Sequence, residues 1–219
     1  IDLINRRLPN FNSKWNKVKD IQILSPTRKG VLGVENLNNE LQKILNPPSN
    51  HKKEKNVREM IFREGDKVMQ IKNNYSLKWT RISGIGDEEG VGVFNGDMGF
   101  IESINEDKST LTVIFDDERR VVYEFAFLDE LELAYAITVH KSQGSEFKVV
   151  ITPVFMGSAF LMNRNILYTG ITRAKELVVV VGSQKALKYM VTNTNNVERY
   201  SSLKERIIDI TADEKIVRD

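Results

Sequence analysis

A chain of 219 residues with 41% hydrophobic and 28% charged residues has an ordinary globular composition and enough length to bury a substantial core. Its formal net charge of +2 neither points to a polyanionic partner nor excludes one, since such a partner needs only a local basic patch. The absence of cysteine excludes disulfides and thiolate metal sites; the two histidines, His51 and His140, match no zinc spacing, and no apolar run is long enough to span a membrane.

The first residues, IDLINRRLPN, lack a signal-peptide core and an initiator methionine and read as the tail of a helix closed by Pro9. They suggest a cytoplasmic fragment of a longer protein, without a membrane partner. Asp20–Ser25 (DIQILS) predicts a short strand ending at Pro26. Gly30 and Gly33 allow a tight turn into a helix, where Val34, Leu37, Leu41, Ile44 and Leu45 recur at helical spacing before Asn46-Pro47-Pro48. Ser49–Asn56 reads as a lysine-rich loop, and Phe62–Ile71 as a turn at Gly65-Asp66 followed by a strand.

Composition then changes. Residues 76–92 are glycine-rich and read as an exposed excursion. From Phe94 to Leu131, short alternating strands and tight turns suggest a small β-barrel inserted in an α/β domain. The domain expectation is therefore residues 1–93 and 132–219 as two parts of one α/β domain, with 94–131 as an insert that shares little of its core.

The α/β pattern resumes at Leu133, and two charge-free apolar runs follow, Val149–Phe155 and Leu177–Val181. Such runs suit strands of a parallel sheet buried on both faces by helices. The expected sheet comprises Ile21–Leu24, Val68–Ile71, Val149–Val154 and Leu177–Val181. A helix from Met162 precedes the last strand, a short helix is expected over Gln184–Val191, and Leu203, Ile207 and Ile210 mark a final one.

A polar, basic segment precedes each late apolar run. In TRAK, Arg173 stands at a helix end before a strand, where its planar fork suits phosphate oxygens; a solvated helix-terminal arginine is the plainer alternative. In HKSQGSEF, Lys141 and Ser142 suit a backbone phosphate, Gly144 suits close approach of a ligand to the main chain, and Glu146 suits ribose hydroxyls. A polar connection with a glycine cap reads equally well there. Arg28, in SPTRKG, also follows a strand, so Arg28 and Arg173 are expected to be able to face one anion.

Three motifs are set aside. GIGDEEG at 84–90 has the wrong spacing for a dinucleotide fingerprint, LTVIFDDE at 111–118 reads as a hairpin turn rather than paired metal-binding acids, and the lysines at 51–55 read as a solvated loop. No G-x-x-x-x-G-K-[ST] phosphate loop occurs, so the chain does not hold a complete nucleotide triphosphatase site.

Taken in order, ILSPTRKGVLGVENLN, GDKVMQIKNNY, VFNGDMGFI, AYAITVHKSQGSEF and LYTGITRAKELVVVVG resemble the C-terminal motor half of RecD-like superfamily 1 DNA helicases. The resemblance implies a second RecA-like domain, a parallel sheet with helices on both faces and an inserted Src-homology-3-like barrel. It implies ATP-driven 5′-to-3′ movement along single-stranded DNA, by a monomer whose N-terminal RecA-like domain carries the phosphate loop and holds most of the magnesium. By motif, Arg28 and Arg173 would act on the γ-phosphate, and Gln143, Gly144 and Glu146 would bind nucleotide. Thr138, His140, Lys141, Ser142, Asn73 and Asn74 would contact DNA, and no residue here would bind metal. Gly170 stands where the family more often has alanine, and 76–92 is longer than the family pattern. Other readings are a non-catalytic nucleic-acid-binding module on the same fold, or the motor half of a relaxase-helicase or Pif-type helicase.

Overall fold

The structure, a computed structural model, describes residues 1–82, 88–158, 160–194, 202–203, 206–208 and 210. The GIGDEEG motif and the final helix therefore lie partly outside the described residues.

In chain order, a π turn (Leu3–Arg7) runs into α1 (Leu8–Phe11), then β1 (Ile21–Ser25) and α2 (Val34–Leu45). A hairpin of β2 (Glu54–Val57) and β3 (Met60–Arg63) leads to β4 (Lys67–Gln70), β5 (Asn74–Arg81), β6 (Glu89–Val93), β7 (Met98–Asn105), β8 (Thr110–Phe115) and β9 (Arg119–Glu124). After a 3-10 segment come β10 (Leu131–Leu133), β11 (Ala136–Thr138), β12 (Phe147–Val154), α3 (Arg164–Ile171), β13 (Ala174–Gly182) and α4 (Gln184–Thr192). Pro9 does not close the first helix: it sits in α1, which continues the π turn and ends at Phe11.

Two main sheets form. The first is parallel, in the order β11-β1-β12-β13. Alternation along its strands sends Ile21, Ile23, Val149 and Ile151 to one face, against Leu41 of α2 and Ile4 and Leu8 of the N-terminal turns. Leu24, Val150 and Val154 point to the other face, against Ile166 and Leu167 of α3 and Ala186 and Met190 of α4. Helices thus cover both faces, as expected. Asn163 caps α3 by accepting from the Ile166 N–H, and Ser183 caps α4 by accepting from the Ala186 N–H.

The second sheet is antiparallel, in the order β10-β4-β7-β8-β9-β5-β6. It overturns three expectations. Val68–Ile71 is not a strand of the parallel sheet: β4 pairs antiparallel with β7 and β10. The antiparallel unit therefore runs from Lys67 to Leu133 rather than from 94 to 131, and the flanks of the glycine-rich excursion are its strands β5 and β6, which pair with each other. Nor is its core separate. Its interior residues Leu111, Val113, Phe115 and Tyr123 belong to one continuous apolar cluster with Ile23, Leu41 and Val149.

Polar side chains join the units across this boundary. The Lys67 ammonium, on β4, donates to the Val18 carbonyl at 3.0 Å and to Gln22 on β1 at 2.9 Å. Asp66, with 0% exposure, accepts from Gln42, Asn46, the Arg63 N–H and the Tyr135 hydroxyl at 2.6–2.9 Å.

Two further expectations change. Part of the lysine-rich loop is strand β2, returned to β3 by a turn with Arg58 at φ 55°. Leu177–Val181 is not buried on both faces, because β13 is an edge strand and Val181 is 42% exposed. The paired acids Asp116 and Asp117, both at positive φ, form with Glu118 the three-residue β8–β9 hairpin turn, as expected.

Candidate functional site: two edges of the parallel sheet

In a parallel sheet every strand starts at one edge and ends at the other, so a residue's edge follows from whether it precedes or follows its strand. Arg28 follows the C-terminal end of β1, where Ser25 is in register with Thr138 at the end of β11. Arg173 immediately precedes β13, whose Ala174 is in register with Phe147 at the start of β12. The registers of β1 and β12 separate these levels by about six or seven residues, or about 20 Å at the rise of a strand. Arg28 and Arg173 therefore do not converge on one anion. A strand end and a strand start look alike in a sequence but lie at opposite edges of the sheet.

At the first edge, Arg28 donates to Glu132 at 2.8 Å and lies 3.6 Å from Glu35. The Lys141 ammonium donates to the other oxygen of Glu132 at 2.9 Å. Burial pushes the Glu132 carboxyl up, but the hydrogen bonds and charges of Lys141 and Arg28 outweigh it and leave it below the usual carboxylate range. Thr138 accepts from the Lys141 N–H, and His140 is exposed on the next turn. An open groove of about 470 Å³ runs past Arg28, Glu35, Asn38, Arg58 and Glu132.

Ser142 does not face a ligand, contrary to expectation. It is buried, and its hydroxyl donates to the Val139 carbonyl at 2.7 Å, which closes the turn instead of presenting a donor to a ligand. Asn73 and Asn74 stand at the start of β5 in the antiparallel unit, where Asn74 reaches Glu130, two residues before Glu132. The Asn73 side-chain Oδ1 accepts from the Asn95 N–H, while the Asn74 side chain donates to Glu130 and accepts from the N–H groups of Ser76 and Leu77. The amide of Asn74 is thus committed to shaping the turn.

At the second edge, the Phe147 N–H donates to the Arg173 carbonyl at 2.8 Å, which brings the TRAK and QGSE segments together. The Arg173 guanidinium makes only long contacts, to the Ser145 carbonyl at 3.4 Å and to the Thr172 hydroxyl at 3.5 Å. Among the described residues its buried Nε has no hydrogen-bond partner and no carboxylate pairs with it. Gln143 and Gly144 are exposed beside it, Gly144 at φ +86° with open space where a side chain would stand. Glu146 is exposed and pairs with Lys175 at 2.9 Å, which with the nearby Arg173 charge holds its carboxyl below the ordinary range.

One link joins the edges. Residues 139–146 leave the end of β11 and reach the start of β12, covering most of the sheet's height in eight residues. Its first part is wound into a 3-10 turn at His140–Ser142, and the turn is closed by hydrogen bonds from the Ser142 N–H to the Val139 carbonyl and from the Gln143 N–H to the His140 carbonyl. Its Val139 is buried and packs near Gly170 of α3.

Glu132 is the site residue that sequence reasoning missed. It is one acidic residue in DELELAYA, and only the fold brings it between two cations from distant parts of the chain. No group of three or more potential metal ligands occurs among the described residues, and none of their helices is long and apolar enough to cross a membrane.

These elements define a RecA-like α/β domain with an inserted antiparallel unit. Residues 133–181 match the family model "UvrD-like helicase C-terminal domain", and residues 37–115 match "ATP-dependent RecD-like DNA helicase SH3 domain". The ATP-dependent RecD2 DNA helicase of Deinococcus radiodurans is 33% identical over 85% of this chain and 23% of its own length. The RecBCD enzyme subunit RecD of Buchnera aphidicola is 28% identical over 86% of this chain and 31% of its own length. The chain thus spans about a quarter to a third of these relatives. The fold matches a crystal structure of Bacteroides Pif1 helicase in complex with ADP-AlF3 and ssDNA, with a TM-score of 0.52 at 19% identity over 98% of this chain and 48% of that one. The chain belongs to the RecD-like DNA helicases of superfamily 1.

Proposed function

We propose that this chain is the second motor domain of an ATP-dependent helicase that moves 5′ to 3′ on single-stranded DNA, with a nucleotide site at one sheet edge and a nucleic-acid site at the other. The observation that carries the reading is Arg173, whose buried Nε lacks a partner beside an unobstructed left-handed glycine. An unpaired buried donor is costly, and a phosphate oxygen satisfies it.

The residues fit ATP as half of a shared site. Arg173 would hold the γ-phosphate, Gly144 lets the main chain approach it, Gln143 lies alongside, and Glu146 would accept from the ribose. Magnesium and the phosphate loop belong to the facing domain of the complete protein. ATP, when bound, supplies the phosphoryl transfer that drives movement. Arg173 contributes by stabilising charge on the transferred group and by drawing its edge of the sheet towards the facing domain.

The nucleic-acid edge consists of Thr138, His140 and Lys141, and the geometry favours moving Arg28 to it from the γ-phosphate. Ser142 supports the turn, and Asn73 and Asn74 would flank this edge from the antiparallel unit, with Asn74 held by Glu130. The link 139–146 couples the edges, so closure on the phosphate at Gly144 shifts Thr138 and Lys141 against the strand.

The test uses forked DNA with a 5′ or a 3′ single-stranded tail. The complete protein is expected to hydrolyse ATP and unwind only the 5′-tailed substrate, whereas residues 1–219 alone should bind single strands weakly and hydrolyse nothing. Turnover by residues 1–219 alone, or unwinding from a 3′ tail, refutes the proposal.

A further inference from the structure

Glu132 is where the two units meet by charge. It lies on β10, opposite Met69 of β4, at the end of the antiparallel unit. Its two cations belong to the parallel unit: Arg28 after β1 at 2.8 Å and Lys141 after β11 at 2.9 Å. Each takes a different oxygen, so one carboxylate is shared between two cations. The Glu132 and Lys141 side chains are 20% and 25% exposed, which limits screening by water, whereas Arg28 is 54% exposed.

A carboxylate presents oxygens to a guanidinium fork much as a phosphate does. At the edge assigned here to nucleic acid, the two best-placed cations are therefore already engaged by an internal anion. The strand that carries Glu132 is fixed in the β4 ladder, so the carboxylate stays within reach of an incoming phosphate and opposes it.

We propose that Glu132 is an internal phosphate surrogate that occupies Arg28 and Lys141 until a nucleic-acid phosphate displaces it, and so sets the strength and salt dependence of the grip at this edge. The proposal rests on the nucleic-acid reading of that edge. Glu132 is a positioning residue: it holds the cations in register for a backbone phosphate and takes one unit from their positive charge, in addition to what Glu35 offsets 3.6 Å from Arg28. Displacement also releases a tie between the antiparallel unit and the parallel sheet, so occupancy of the strand site is felt by the inserted unit.

The experiment compares Glu132→Gln with the wild type in the complete protein, using labelled oligothymidylate without nucleotide at 50 to 200 mM salt. The variant keeps the shape and removes the competing charge. It should bind several-fold more tightly at 50 mM, and its plot of log affinity against log salt should be steeper by about 0.7, the value for one more neutralised phosphate on a single strand. Its advantage should then shrink about 2.6-fold across that range. Acetic anhydride labelling without DNA gives a second readout: Lys141 should be modified several-fold faster in the variant. Melting confirms folding, and Glu132→Thr, a residue suited to a strand, replaces the glutamine variant if it does not fold.

Equal affinity and equal slope, or weaker binding by the variant, overturn the surrogate role while the nucleic-acid reading stands. If neither protein binds single strands, the nucleic-acid reading has failed and the surrogate role with it. Equal labelling of Lys141 shows that Glu132 does not engage it in solution and overturns the proposal on its own.

Discussion

Replacing Arg173 with alanine in the complete protein separates a phosphoryl-transfer role from a solvated helix-terminal arginine. The stability cost follows from its contacts. Its hydrogen bonds to Ser145 and Thr172, at 3.4 and 3.5 Å, lie at the weak end of the range, and no ion pair is lost among the described residues. Removing the unpartnered Nε also removes a buried polar group, which offsets part of that loss. The net change should be about 1 kcal/mol or less, or about 2–4 °C in melting temperature for a unit of this size. Steady-state ATP hydrolysis should fall about 100-fold or more, equivalent to about 2.7 kcal/mol of transition-state stabilisation. Arg173→Lys should not restore it, because an ammonium does not reproduce the planar fork. Single-strand binding without nucleotide should change little, since Thr138 and Lys141 lie at the other edge. Near-normal hydrolysis in a variant that melts several degrees lower would refute the reasoning.

Three other outcomes are expected. Burial lowers Lys67 to about 8 from an ordinary 10.5. Between those values the unfolded chain binds more protons, so stability should rise as pH goes from 8 to 10.5 and stay flat below 8 as far as this group is concerned; in a pH series of melting curves, Lys67→Met should lose that rise, and an unaltered rise would contradict the burial. Asp66→Ala strands four donors, from Gln42, Asn46, Arg63 and Tyr135, and should cost at least about 3 kcal/mol in urea unfolding, a smaller loss showing that water replaces the carboxylate. Gly170→Ala should stabilise by about 0.5–1 kcal/mol in the same assay, because the added methyl group meets Thr152 and Val139 at 3.5 Å or more and helix entropy improves; destabilisation would show that α3 packs too closely for it.

Sequence alone determined what depends on local pattern and on chemistry carried by short segments. Helical spacing placed α2, and charge-free runs rich in valine placed β12 and β13. The order of the polar segments around Thr138, Gly144 and Arg173 identified the family and the residues to watch. Tertiary structure decided what depends on direction and pairing. Val68–Ile71 shows the same apolar run whether it joins a parallel or an antiparallel sheet, and only its partners β7 and β10 assign it. Leu177–Val181 has the composition of a buried strand, but its place at the end of the sheet exposes it. Ser142 had the right chemistry for a phosphate, yet its hydroxyl is satisfied by Val139 three residues away. Arg28 after one strand and Arg173 before another both read as able to face one anion, until strand polarity sent them to opposite edges. The Glu132 bridge was legible in no pattern, because its cations lie 104 residues before it and 9 after it in the chain. A motif specifies which groups are available, whereas the edge they occupy and the charge they meet are set by the path of the chain between them.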